Sequence, residues 1–146
     1  MNRIVASISI AAAFAAGCGV THVLRPALAA DEIMAQVIHT GEQTDEMLGA
    51  ANAGGMRSKM FVKADGATIS MQNGTVGKHM HPNTNEIQYV LEGSGTIWLG
   101  DKQVQVKAGD LIVIPKGTAH GGATTAMKAI AIKTPPQAPD DTKMLN

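Results

Sequence analysis

The chain has 146 residues, a single cysteine, 3% aromatic residues, and 12 basic side chains against 12 acidic ones. With no basic stripe and so few aromatic rings, nucleic acid is excluded as a partner class, and one cysteine cannot build an internal disulfide framework. No amphipathic helix of the membrane-surface type stands out.

The N-terminal stretch reads apart from the rest. Met1–Arg3 is a short basic start, Ile4–Val20 is uncharged and mostly apolar, and Ala27-Leu28-Ala29 supplies small residues at the spacing a signal peptidase reads. This order predicts a secretory signal peptide over residues 1–29, cut after Ala29 or Ala30, and hence a periplasmic or secreted protein. Two alternatives stay open. The apolar run reaches the lower limit for an uncleaved anchor. Ala15-Ala16-Gly17-Cys18 resembles a lipoprotein box, which would make Cys18 a lipidated residue. Beyond the leader the net charge is about −2 and no cysteine remains, so stability has to come from packing or a metal.

Asp31–His39 alternates apolar residues and predicts an edge strand. Glu42–Leu48 predicts a short helical turn, and Gly49–Gly55 a mobile loop. Strands are predicted at Lys59–Lys63 and Ala67–Gln72 around the Ala64-Asp65-Gly66 turn. Val76–His81 is a short extended piece that Pro82 ends. Glu86–Leu91 is a strand, Glu92-Gly93-Ser94-Gly95 a turn, and Thr96–Leu99 and Gln103–Val106 a hairpin through Gly100-Asp101-Lys102. Leu111–Ile114 reads as a strand buried on both sides, stopped by Pro115–Gly117. Met127–Lys133 is the last strand, and Thr134–Asn146 an extended tail with no core of its own. Many short strands with regular turns imply an all-β sandwich or barrel. The chain thus divides into a leader (1–29), an N-terminal strand and loop (30–56), a barrel (57–133) and a tail (134–146).

The chemistry concentrates in GKHMHPNTNEIQYVLEG and GDLIVIPKGTAHGG. Residues two apart on a strand share a face, so His79 and His81 both enter the interior and Met80 does not. Glu86 returns on the next strand, with Gln88 on its side and Tyr89 opposite. His120 arrives after the Pro115–Gly117 turn. Three imidazoles and one carboxylate suit a divalent first-row metal and leave positions open for substrate. Gln88 is a candidate substrate contact. His39 is a solvent-facing or edge residue, and Lys116 and Thr118 are turn residues.

The spacing of Gly74, His79, His81, Glu86 and Gly93 resembles the first motif of the cupin superfamily, and that of Gly109, Pro115, Gly117 and His120 resembles its second. Gly74 sits one residue nearer the first histidine than is common, and Thr124 stands where the family often has asparagine. The resemblance implies a cupin-type double-stranded β-helix, a jelly-roll barrel. It implies His79, His81, Glu86 and His120 as ligands of one divalent metal (Fe, Mn, Ni, Zn, Co or Cu), and Thr124 with Gln88 as substrate-side positions. It also implies a small-molecule ligand and a homodimer joined through edge strands. The function expected is a metal-dependent oxygenase or related enzyme acting on a small organic molecule. The alternative is a non-catalytic periplasmic module that binds a small molecule or metal.

Overall fold

The computed structural model describes residues 33–145; the expected signal segment and Cys18 lie outside the described residues. Among the described residues there are eight strands: β1 (Arg57–Lys63), β2 (Thr68–Asn73), β3 (His79–Met80), β4 (Asn85–Leu99), β5 (Lys102–Lys107), β6 (Leu111–Ile114), β7 (His120–Thr134) and β8 (Lys143–Met144). Helix is confined, among the described residues, to single 3-10 turns at Thr40–Glu42 and Glu46–Leu48.

Two long strands organise the rest, because each serves two layers. The first half of β4 pairs with β6 on one side and with the second half of β7 on the other, and that half of β7 continues to β2 and β1. The second half of β4 pairs with β5 and with the first half of β7, whose far edge meets β3 and then β8. All pairs are antiparallel. The result is two layers, β1-β2-β7-β4-β6 and β8-β3-β7-β4-β5, folded over one another as a jelly-roll barrel. Between them pack Val90, Ile97, Val106, Ile112, Ile114 and Met127. Full burial of an aliphatic side chain such as Val90 or Ile114 contributes about 1.5–3 kcal/mol.

Several local expectations change in this frame. The turn predicted at Glu92–Gly95 is a bend inside β4. The register slips by one between Val90 and Glu92, and Gly93 takes φ 83°. A bulge and a left-handed glycine turn the strand from one layer into the other without reversing it. Likewise β7 begins at His120, seven residues before the strand expected at Met127–Lys133. Leu111–Ile114 is not buried on both sides: Ile112 and Ile114 face the core while Leu111 and Val113 are exposed. β6 is an edge strand of its layer, with one face in water, so alternation replaces the continuous burial of a central strand.

Of the edge strand predicted at Asp31–His39, the described residues 33–39 form no strand pairing, and Ile33, Met34 and Val37 are exposed. The following segment is tied down rather than loose. Leu48 is buried, Lys59 and Lys128 reach Gln43 at 2.9 and 3.1 Å, and the Asn52 side chain accepts from the backbone of Gly54 and Met56. The tail also differs from expectation. It returns along the barrel to form β8, and Asp141 within it is buried.

Candidate functional site

β3 and β7 bring the histidines together. His79 is the Cα partner of His120 across the two strands, and His81 follows His79 with the same facing. All three are buried, with ring centroids 4.2–5.1 Å apart, and their candidate ligand nitrogens lie within 4.8 Å of one another. Glu86 enters from β4. Its Oε2 lies 3.2 Å from His81 Nε2 and 3.5 Å from His120 Nε2, and its Oε1 accepts a 2.8 Å hydrogen bond from Gln88 Nε2. Tyr89 points outward, as strand parity requires.

The rings are oriented from behind by the backbone. His79 Nδ1 is 2.8 Å from the Gly77 carbonyl, His81 Nδ1 is 2.6 Å from that of Asp141, and His120 Nδ1 is 2.9 Å from that of Thr118. A carbonyl only accepts, so each Nδ1 carries the hydrogen and each Nε2 turns a lone pair inward. Among the described residues, His81 Nε2 and His120 Nε2 are buried without a hydrogen-bond partner. Their nearest polar neighbour is a carboxylate oxygen, another acceptor. Acceptor facing acceptor in a buried site demands a positive charge between them, either a proton or a metal ion. Backbone carbonyls fixing the ring tautomer are the arrangement by which metal-binding histidines are held. The donor set therefore fits a divalent cation.

Charge balance supports the same picture. Burial alone would push the pKa of Glu86 up, but contacts with His120 and His81, together with Lys133 and Gln88, outweigh it and hold the carboxyl well below the usual carboxylate range. His79 is lowered to about 4, mainly because burial disfavours the imidazolium; its bond to Gly77 opposes this without offsetting it. The sign for stability follows. Between about 6.5 and about 4 the unfolded chain binds a proton at this histidine that the folded chain refuses. The metal-free protein should therefore lose melting temperature as pH falls through that window, with Glu86 adding a further loss at lower pH. His79→Gln should flatten the slope between those limits. A metal-free Tm that is level from pH 6.5 to pH 4 would contradict this.

A glycine sets the closeness of β3 to β7. Gly121 has φ 137°, and a Cβ there would stand 2.6 Å from the Gly77 carbonyl oxygen, the atom that orients His79. Gly121→Ala must push that carbonyl aside. We expect metal affinity to fall about 10–100-fold, the usual effect of losing a ligand's orienting partner, with a cooperative melt retained. Unchanged affinity by competitive chelator titration would show that the carbonyl does not position the ring.

A cavity of about 290 Å³ opens beside the triad, and His79, His81, Glu86 and Gln88 are part of its wall. Gln88 thus lies where the sequence placed it. Thr124 does not. It is exposed and pairs with Thr96, and it lines neither this cavity nor the one beside it. The cause is a second register slip, which sets Gly122 opposite Ile97 and Thr124 opposite Thr96. One extra residue inverts the alternation after His120, so Thr124 falls on the outer face.

Two contributors escaped the sequence reading. Lys133 is directly opposite Glu86 on β7, its side chain only 15% exposed and its Nζ 3.7 Å from Glu86 Oε2. Its odd-numbered position, shared with the inward Met127, Ala129 and Ala131, was the available signal. The other is the tail. The Asp141 carboxylate accepts from the Asn83 backbone and side chain at 2.9 and 3.0 Å, while its carbonyl holds His81. Nothing local in Thr134–Asn146 announces this.

Residues 67–132 match the cupin domain family. An uncharacterized protein of Methanocaldococcus jannaschii is 36% identical over 70 residues, covering 46% of this chain and 56% of that protein. Uncharacterized protein YdbB of Bacillus subtilis is 42% identical over 53 residues, covering 36% and 47%. The chain spans about half the length of the curated relatives it matches. Among solved structures, a Streptomyces nucleoside dehydratase superposes with TM-score 0.58 at 20% identity, over 65% of this chain and 82% of that one. The polyketide cyclase RemF from Streptomyces resistomycificus gives 0.59 at 22%, over 77% and 87%. At such identities the likeness carries the fold, a cupin-type jelly roll, and nothing finer.

Proposed function

We propose that the cavity is a metal-dependent active site. His79, His81, His120 and Glu86 hold one divalent ion, and the protein acts as an oxygenase or related enzyme on a small organic molecule. The observation that carries this reading is the convergence of two orphaned, buried Nε2 atoms on a buried carboxylate. When bound, such an ion polarises substrate oxygens and, for a redox-active metal, supplies electron-transfer chemistry. The chain's own part is to position and to exclude water. Gln88 fixes Glu86 through its Oε1 and faces the cavity. Gln72 and Asn52 offer amide groups along the wall, and Met56 and Met144 narrow it. Lys133 supplies a second ionisable group beside the carboxylate. The dehydratase and cyclase that share the fold act on small organic molecules, which suits a cavity of this size.

Elemental analysis of protein purified from its native compartment identifies the metal. Turnover is then measured on a panel of small oxygenated substrates, with and without O₂ consumption. Stoichiometric metal with turnover supports the enzyme. Tight ligand binding with no turnover across the panel would favour the non-catalytic module, and absence of any bound transition metal would overturn the site. We further propose export through the leader and a homodimer. Intact-mass measurement of the exported protein, which separates plain cleavage from lipidation at Cys18, and light scattering test these two points.

A further inference from the structure

We propose that the cavity is an anion site, in which the Lys133 ammonium holds a carboxylate or comparable oxyanion of the small molecule bound beside the triad. The proposal deepens the reading above, yet it stands on Lys133 and the cavity wall.

Lys133 is placed, not incidental. It lies on the inward face of β7 at the position paired with Glu86, on a strand whose other inward neighbours, Ala129 and Ala131, are small and leave room for its stem. Its Nζ donates to Gln137 Oε1, and Gln137 in turn donates 2.6 Å to Thr142 Oγ1 in the tail. The ammonium has three hydrogens and no acceptor capacity. One is used by Gln137. Glu86 Oε2 at 3.7 Å is too far for a hydrogen bond and supplies charge attraction only. That oxygen is also the one facing the histidines, so it is committed to the cation they share.

A second cavity of about 300 Å³ adjoins the first, sharing Met56, Gln72, Lys133 and Gln137 with it. Lys133 thus stands where the two spaces meet. Among the described residues Glu86 is the one acidic side chain in either wall, and Gln72, Asn52 and Thr142 supply hydrogen-bond donors. With a divalent cation on the triad and one carboxylate already spent, the interior carries surplus positive charge. A neutral ligand could accept a hydrogen bond from Lys133 but would leave the surplus charge unbalanced in a site where Lys133 is only 15% exposed, which is unfavourable. An anionic oxygen placed between the metal position and Lys133 satisfies both.

The test compares malonate with its near-isosteric neutral diamide, malonamide, by calorimetry on the metal-loaded protein. Wild type should prefer malonate. Lys133→Met should lose about tenfold in malonate affinity, the scale of one charge-assisted hydrogen bond, with malonamide binding unchanged. Lys133→Arg should retain most of the preference. Divalent metal should bind Lys133→Met as tightly as wild type or more tightly, because a positive charge beside the ligand set has been removed. That increase is one a damaged fold could not give. Equal malonate affinity in wild type and Lys133→Met, equal losses for malonate and malonamide, or no malonate binding by wild type at millimolar concentration would overturn the proposal. If wild type takes up no metal, the metal reading fails, and the same malonate comparison on the metal-free protein still decides the role of Lys133.

Discussion

His79→Ala, His81→Ala and His120→Ala proteins should each purify with little or no divalent metal, whereas His39→Ala should retain the full wild-type content. Each substitution removes one of three inward nitrogens already oriented by a backbone carbonyl. Losing one of so few donors costs far more than losing a neighbour that merely orients them. His39 is exposed and is not part of the triad. Glu86→Gln should weaken the site less, since an amide oxygen still coordinates but carries no charge. It should also leave Lys133 without its counter-charge, so the variant should show lowered stability at neutral pH even when metal-free. Mass spectrometry of the metal, on protein prepared side by side, is the measurement. Full occupancy in all three histidine variants would sink the ligand assignment.

Removal of the tail should be nearly as damaging, although the tail contains none of the proposed ligands. A chain ending after Thr134 loses the carbonyl of Asp141 that holds His81, the Met144 pairing with His79, and the 2.8 Å bond from Leu145 N to the Lys78 carbonyl. His79 then keeps only the β7 edge of its support, and His81 loses the carbonyl behind its ring. A milder version is Asp141→Ala. It keeps the carbonyl but strips the two hydrogen bonds to Asn83, leaving a part-buried backbone N–H unsatisfied at a cost of about 1–3 kcal/mol. Metal affinity should fall about 10–100-fold in the truncated chain and by a smaller factor in Asp141→Ala, and both should melt cooperatively because the core between the layers is untouched. A truncated chain that binds metal like wild type would show that the tail is only a cover.

Local pattern alone was enough for the fold class and for the facing of four side chains. Alternation with period two is a local property, so His79, His81, Glu86 and Gln88 could be assigned a face without knowing their partners. The glycine and proline punctuation was read correctly as a break in regular pairing at Gly100–Lys102 and Pro115–Gly117. At Glu92–Gly95 the same signals were read as a reversal, and there the tertiary structure decided otherwise. Whether a glycine-rich stretch turns back or bends onward depends on which strand lies beside it, and β7 runs alongside β4 through the whole of that region. Thr124 was misplaced for a related reason. Its facing depends on a register slip against β4, which is a property of two strands and not of either one. Lys133 and Asp141 lie 47 and 55 residues after Glu86, yet the pairing brings Lys133 beside Glu86 and the Asp141 carbonyl behind His81. Local pattern fixes which side a residue takes along its own strand; only long-range pairing fixes which residues then meet.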